Sequence, residues 1–158
     1  MRDMIPNLFS KLPIPKRVPE ELERRIADLA QGATPEVFLR RAFDWIVETW
    51  GGPRFGLFSK LGRLFVIDLR DIIHTKGYMH CTTMNYLLRV MAVRSGFFKD
   101  EDIEQVLTHS WYVAPHQYLR VRLGGGKTIT LDPWNYQFGI DYGQNGSGFA
   151  SLKLTPIR

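Results

Sequence analysis

Residues 116–134, HQYLRVRLGGGKTITLDPW, decide how this chain reads. Side chains alternate in character from His116 to Leu123 and again from Lys127 to Leu131, the period of two that belongs to strands with one buried face. Gly124, Gly125 and Gly126 between them supply a turn, and Asp132-Pro133 ends the second strand, because proline cannot continue a ladder. The segment therefore predicts an antiparallel hairpin. Even-numbered residues of each strand share a face, and the two faces coincide only when paired residues add to an even number. A turn at 123–125 sets His116 directly opposite Asp132. A turn at 124–126 makes them diagonal neighbours, about 7–8 Å apart between backbones and still within side-chain reach. Either register brings an imidazole and a carboxylate together.

Towards the N-terminus the period becomes helical. Cys81 to Arg94 predicts an amphipathic helix with Met84, Leu87, Leu88 and Met91 inward and Gly96 past its end. Leu22, Ile26 and Leu29 mark a helix from Pro19 to Gly32. Thr34 and Pro35 open another, whose stripe is Phe38, Leu39, Ala42, Trp45 and Ile46 and which Gly51, Gly52 and Pro53 stop. Between Pro53 and Gly77 the pattern is mixed, with a short helix around Leu69, Ile72 and Ile73. Asp100 is read as the cap of a further short helix through Leu107, with Ile103, Val106 and Leu107 inward. Trp111-Tyr112-Val113 reads as a short extended piece, and the stretch after residue 134, rich in Gly and Asn, allows at most two more short strands. The proline-punctuated residues 1–18 form an arm, and 19–158 a single domain.

Composition agrees with one globular domain: 158 residues, 44% hydrophobic and 23% charged. The 21 basic and 16 acidic side chains leave a net charge of +5. They alternate with one another, as in ELERRIADLA, whereas a nucleic-acid footprint clusters its bases, so no nucleic-acid partner is expected. No apolar run approaches a membrane span and residues 1–17 lack a signal-peptide core, so the expectation is a cytoplasmic protein without a membrane partner. One cysteine excludes an internal disulfide and zinc sites built on several thiolates, and no acidic cluster has calcium-loop spacing. No cofactor or metal is expected.

The chemistry converges on Cys81. At a helix N-terminus, free N–H groups and the positive end of the dipole favour a thiolate and can receive the oxyanion of a tetrahedral intermediate. A thiolate nucleophile needs a proton carrier held in one tautomer by a carboxylate or amide, and His116 with Asp132 supplies both. His109 competes as the base, but it lies 23 residues before Asp132 with Pro115 between them, so spacing favours His116. A bland reading places His109 at a helix end. Trp45 offers an indole N–H to an oxyanion, although packing is its default role. His80 and Asn85 flank the thiol, as cleft residues or as surface polar groups.

The hairpin ending in Asp-Pro and the GYMHC segment before an amphipathic helix resemble the transglutaminase-like family, in which a His begins one strand and an Asp-Pro ends the next. The resemblance covers residues 77–134, with the helix 35–50 matching more loosely. It implies an α+β, papain-like core of helices packed on a small antiparallel sheet and a Cys-His-Asp triad of Cys81, His116 and Asp132. It also implies acyl transfer through a cysteine acyl-enzyme on a peptide or protein amide. The alternative is a catalytically idle domain that uses the same cleft to bind peptide.

Overall fold

The computed structural model describes residues 5–53, 56–110 and 114–148. Helices α1 (Glu20–Ala30) and α2 (Pro35–Thr49) form where the pattern predicts them. Thr34 caps α2, its hydroxyl accepting the Val37 N–H at 3.3 Å, and Phe38, Leu39, Ala42 and Ile46 are buried along one stripe. The chain then makes one short helix, α3 (Gly56–Ser59), and a 3-10 turn over Leu61–Phe65. Helix α4 (Leu69–His74) follows, capped by the Asp68 carboxylate, which accepts the Arg70 N–H at 2.8 Å.

Helix α5 (Cys81–Arg94) is the axis of the molecule, and every residue from Thr82 to Ala92 is buried. A helix enclosed on all sides must find partners for its polar side chains. Asn85 donates to the Gln117 carbonyl at 2.8 Å, and Arg89, wholly buried, lies 2.9 Å from the Asp100 carboxylate. The apolar faces of the helices and of the sheet meet in one continuous core running from Leu22 to Phe138.

The sheet has three antiparallel strands in the order β1 (Ile103–Ser110), β2 (Ala114–Arg122), β3 (Thr128–Leu131). In the predicted hairpin, paired residues add to 250, as in Leu119 with Leu131, which selects the turn at 124–126. Gly125 and Gly126 occupy that turn at φ 73° and 78°, a conformation open to glycine and strained for most other residues. Pro115 lies inside β2 rather than interrupting it. β3 pairs only with residues 119–122, so at Pro115 the missing N–H faces a side of the strand without a ladder partner in β3.

The helix expected from Asp100 to Leu107 does not form. Asp100–Asp102 makes a single 3-10 turn and the chain enters β1 at Ile103. Ile103, Val106 and Leu107 suit either period, but a helix of eight residues is too short to stand on its own propensity. Pairing with β2 along all of β1 supplies the backbone bonds instead, and puts Ile103 in the core opposite Val121 while Leu107 is 44% exposed. Asp100 serves as the counter-ion of Arg89. A second difference lies at Asp132-Pro133, which ends β3 and at once starts α6 (Pro133–Tyr136), with Asp132 as N-cap and Pro133 in the first helical position. The expected extended piece at 111–113 falls outside the described residues, and beyond α6 the ladder gains an isolated parallel bridge between Ser110 and Gly148. The part of the N-terminal arm that is described lies on the domain, with Asn7 and Leu8 buried. No helix among the described residues is long and apolar enough to cross a membrane.

The strand assignment of residues 103–110 has a direct thermodynamic test. Ile103→Ala removes a core side chain and is expected to lower the unfolding free energy by about 2–5 kcal/mol, whereas Leu107→Ala, on the same face of β1 but exposed further along the strand, stays within about 0.5 kcal/mol. Urea titration of both variants measures the contrast, and equal losses would restore the helical reading.

Candidate functional site

The site forms where the first turn of α5 meets the hairpin. Cys81 is the first residue of the helix and is partly exposed. His80, the N-cap, offers no side-chain cap, because its buried ring is turned away to the Lys60 carbonyl at 3.0 Å. The His80 carbonyl instead receives the N–H groups of Thr83 and Met84, so the helix begins with the backbone of Cys81 and Thr82 turned towards its open end. Burial pushes the His80 imidazole below its ordinary range.

His116 and Asp132, 1% and 2% exposed, are joined by a 2.9 Å hydrogen bond from Nε2 to Oδ2. The even pairing sum puts them on one face of the hairpin as diagonal neighbours, as the turn at 124–126 requires. The Cys81 thiol lies close enough to His116 to act on its charge, favouring the protonated ring. With Nε2 held by the carboxylate, Nδ1 is the ring nitrogen left for sulfur. Burial works against a charged ring here, but the Asp132 carboxylate, Cys81 and the hydrogen bond to Asp132 outweigh it, and the His116 pKa is pushed up to about 10. Asp132 meets the same opposition from burial; His116, Asn135 and the Gly146 N–H together hold it below the usual carboxylate range.

Both oxygens of that carboxylate are hydrogen-bonded. Oδ1 accepts the Asn135 N–H at 3.1 Å, while Oδ2 accepts His116, the Asn135 side-chain amide at 2.9 Å and the Gly146 N–H at 2.9 Å. Asn135 Nδ2 stands 3.0 Å from His116 Nε2, two donors brought together by one acceptor. Trp134 packs against the His116 ring, centroids 5.4 Å apart, and its indole N–H reaches the Tyr78 hydroxyl at 3.2 Å. Asn135, Gly146, Trp134 and Tyr78 were not singled out in the sequence. The signal for Asn135 was its place three residues after an N-cap Asp; nothing local pointed to Gly146, which arrives by tertiary folding.

Other sequence candidates stand elsewhere. His109 is in β1 rather than at a helix end, exposed and paired with Pro115, and its side chain points to the face opposite His116. Trp45 packs its ring on Trp50, with the Arg25 guanidinium above it at 5.4 Å, in a contact between α1 and α2. His80 and Asn85 are buried, which rules out their reading as surface polar groups. Among the described residues no cluster of three or more His, Cys, Asp or Glu side chains is arranged to hold a metal. Comparison with known proteins finds no matching family model, no matching curated protein and no matching solved structure.

Two outcomes follow from this geometry. Folding raises the His116 pKa from 6.5 to about 10, so the stabilisation it carries is complete below pH 6.5 and is lost as the pH rises towards 10. Asp132, whose pKa is lowered from 3.8, contributes above that value and loses its contribution as the pH falls. The stability difference between the wild type and Asp132→Asn is therefore expected to be largest between pH 3.8 and 6.5 and to shrink on both sides, as measured by denaturant unfolding across pH. A Cβ at position 146 would meet Asn135 Nδ2 at 2.4 Å, so Gly146→Ala should displace that amide and cost about 1–3 kcal/mol. Thermal melting reads this loss, and an unchanged melting temperature would mean that the 143–148 turn yields freely.

Proposed function

We propose that this protein is a thiol-dependent acyl-transfer enzyme of transglutaminase-like type with a papain-like core, acting on an amide of a peptide or protein. The observation that carries the reading is the buried His116 ring, bonded at Nε2 to Asp132 and electrostatically coupled to a thiol that begins a helix. A binding module has no use for a buried imidazolium and carboxylate, each costing several kcal/mol to desolvate, placed against a nucleophile.

The chemistry follows from the geometry. The Cys81 proton passes to His116, leaving a thiolate beside an imidazolium whose charge Asp132 balances. Sulfur attacks the amide carbonyl, the C–O π electrons move onto oxygen, and the N–H groups at the start of α5 lie where that oxyanion develops. As the C–N bond breaks, His116 delivers its proton to the departing amine and a thioester remains on Cys81. Water or a second amine, deprotonated by His116, attacks the thioester and releases the acyl group. Hydrolysis and transamidation differ only in this last acceptor. Asp132 stays ionised throughout and fixes the ring with Nδ1 towards sulfur.

The test uses the thiol directly. Iodoacetamide at pH 7 should modify Cys81 in the folded protein, and His116→Ala should slow the reaction by about tenfold or more, while His109→Ala leaves it unchanged. Against a peptide library read by mass spectrometry, the wild type should accumulate an acyl adduct on Cys81, Cys81→Ala none, and Asp132→Asn should turn over up to about 10⁴-fold more slowly. A thiol that is modified only on unfolding, with no adduct, would replace the enzyme by the idle peptide-binding domain.

A further inference from the structure

We propose that Asn7, in the N-terminal arm, is a positioning residue that sets the separation between the Cys81 helix and the His116 strand. The inference rests on the reading of Cys81 and His116 as a working pair. Asn7 is 3% exposed, far from any solvent role for an arm residue, and has φ 59°, the left-handed conformation that asparagine tolerates better than most residues other than glycine. This conformation aims its side-chain amide at α5, where Nδ2 donates to the Thr82 carbonyl at 2.9 Å. Its main-chain carbonyl faces the sheet and accepts the Gln117 side-chain amide and the Gln105 amide, the latter at 2.9 Å. One residue therefore bridges the helix and two strands.

The two anchor points adjoin the proposed reacting groups. Thr82 follows Cys81 in the first turn of α5, and Gln117 follows His116 in β2. Gln117 lies on the opposite face of β2 from His116, so the bridge to Asn7 is made on the face turned away from the imidazole. Asn7 touches no reacting atom, and its effect passes through the backbone of the two elements. The Gln117 carbonyl closes the same bridge from the other side by accepting Asn85 Nδ2 at 2.8 Å. Thiol and imidazole must stay within hydrogen-bond reach, and a displacement of about 1 Å at such a pair is worth a factor of 10². No neighbour in the sequence holds these elements together, because 34 residues separate Thr82 from Gln117.

Asn7→Asp separates positioning from folding. The carboxylate keeps the acceptor contacts with the Leu12 N–H, at 3.1 Å, and the Arg89 guanidinium, at 3.4 Å, but it cannot donate to the Thr82 carbonyl. Asn7→Gly is the companion variant, which keeps the left-handed backbone and removes the amide entirely. The readout is the rate of Cys81 alkylation by iodoacetamide from pH 5 to 10 on the full chain, with a thermal melt beside it. Both variants should alkylate about tenfold more slowly at pH 7, with the pH–rate profile displaced towards that of His116→Ala. A residue that served only stability would lower the melting temperature and leave the profile of the folded fraction unchanged, and that result would overturn the proposal. If His116→Ala alters the profile and neither Asn7 variant does, the positioning role alone fails. If His116→Ala is itself without effect, the reading of the thiol and imidazole as a pair fails first.

Discussion

A buried ion pair governs the C-terminal half of this molecule. Two groups as hidden as His116 and Asp132 would each cost several kcal/mol to desolvate if left alone, and they persist because every polar atom of the carboxylate is satisfied. That demand dictates local structure. Asp132 must be an N-cap, so that Asn135 can donate from its backbone and its side chain, and β3 must stop where α6 starts. The chain beyond α6 must fold back to offer the Gly146 N–H, in a turn so tight against Asn135 that only glycine fits. The Gly148 N–H then bonds to the His109 carbonyl at 2.8 Å, which ties the returning segment to the far strand of the sheet. A glycine-rich stretch that looks like slack chain thus completes the coordination of one carboxylate.

A second buried charge organises the other half. Arg89 is fully enclosed on α5, and Asp100, the Leu12 carbonyl and the Asn7 side chain surround its guanidinium. Arg89 Nε and Asp100 Oδ1 make a charge contact at 2.9 Å rather than a well-aligned hydrogen bond, while the planar guanidinium distributes its other donors over the arm. The consequence is structural economy of a specific kind: the same arginine holds the entry to β1 and the N-terminal arm against the central helix. Breaking it would leave an unpaired charge in the core, which is why the arm is packed although it has no regular secondary structure.

Helix α5 connects these two centres. Its first turn carries the thiol and its third carries Arg89, and the enclosed surface between them binds β2 on one side and α2 on another. Positions about two turns apart on this helix therefore serve different ends of the molecule, and small rotations of α5 would alter the site and the arm together. Asn7 touches both, through Thr82 and through Arg89.

Local pattern was enough for much of this. The alternation of residues 116–131 with a glycine turn dictated the hairpin, and parity alone put His116 and Asp132 on one face, because the side-chain period in a strand is two whatever the rest of the chain does. Helical periodicity and caps likewise located α1, α2, α4 and α5, and with α5 the place of Cys81 at its start. Tertiary structure decided what local pattern left degenerate. Residues 103–107 satisfy both periods, and pairing with β2 made them a strand. The turn at 124–126 or 123–125 was equally open until the register fixed the sum at 250. His80, Asn85 and Asn7 are polar residues whose burial no neighbour in sequence foretells, since their partners lie 20, 32 and 75 residues away. Gly146 reaches Asp132 only once the chain has closed around it. Periodicity is a property of consecutive residues and can be read from them, but the satisfaction of a buried polar group depends on which distant atoms the fold delivers, and only the assembled structure holds that information.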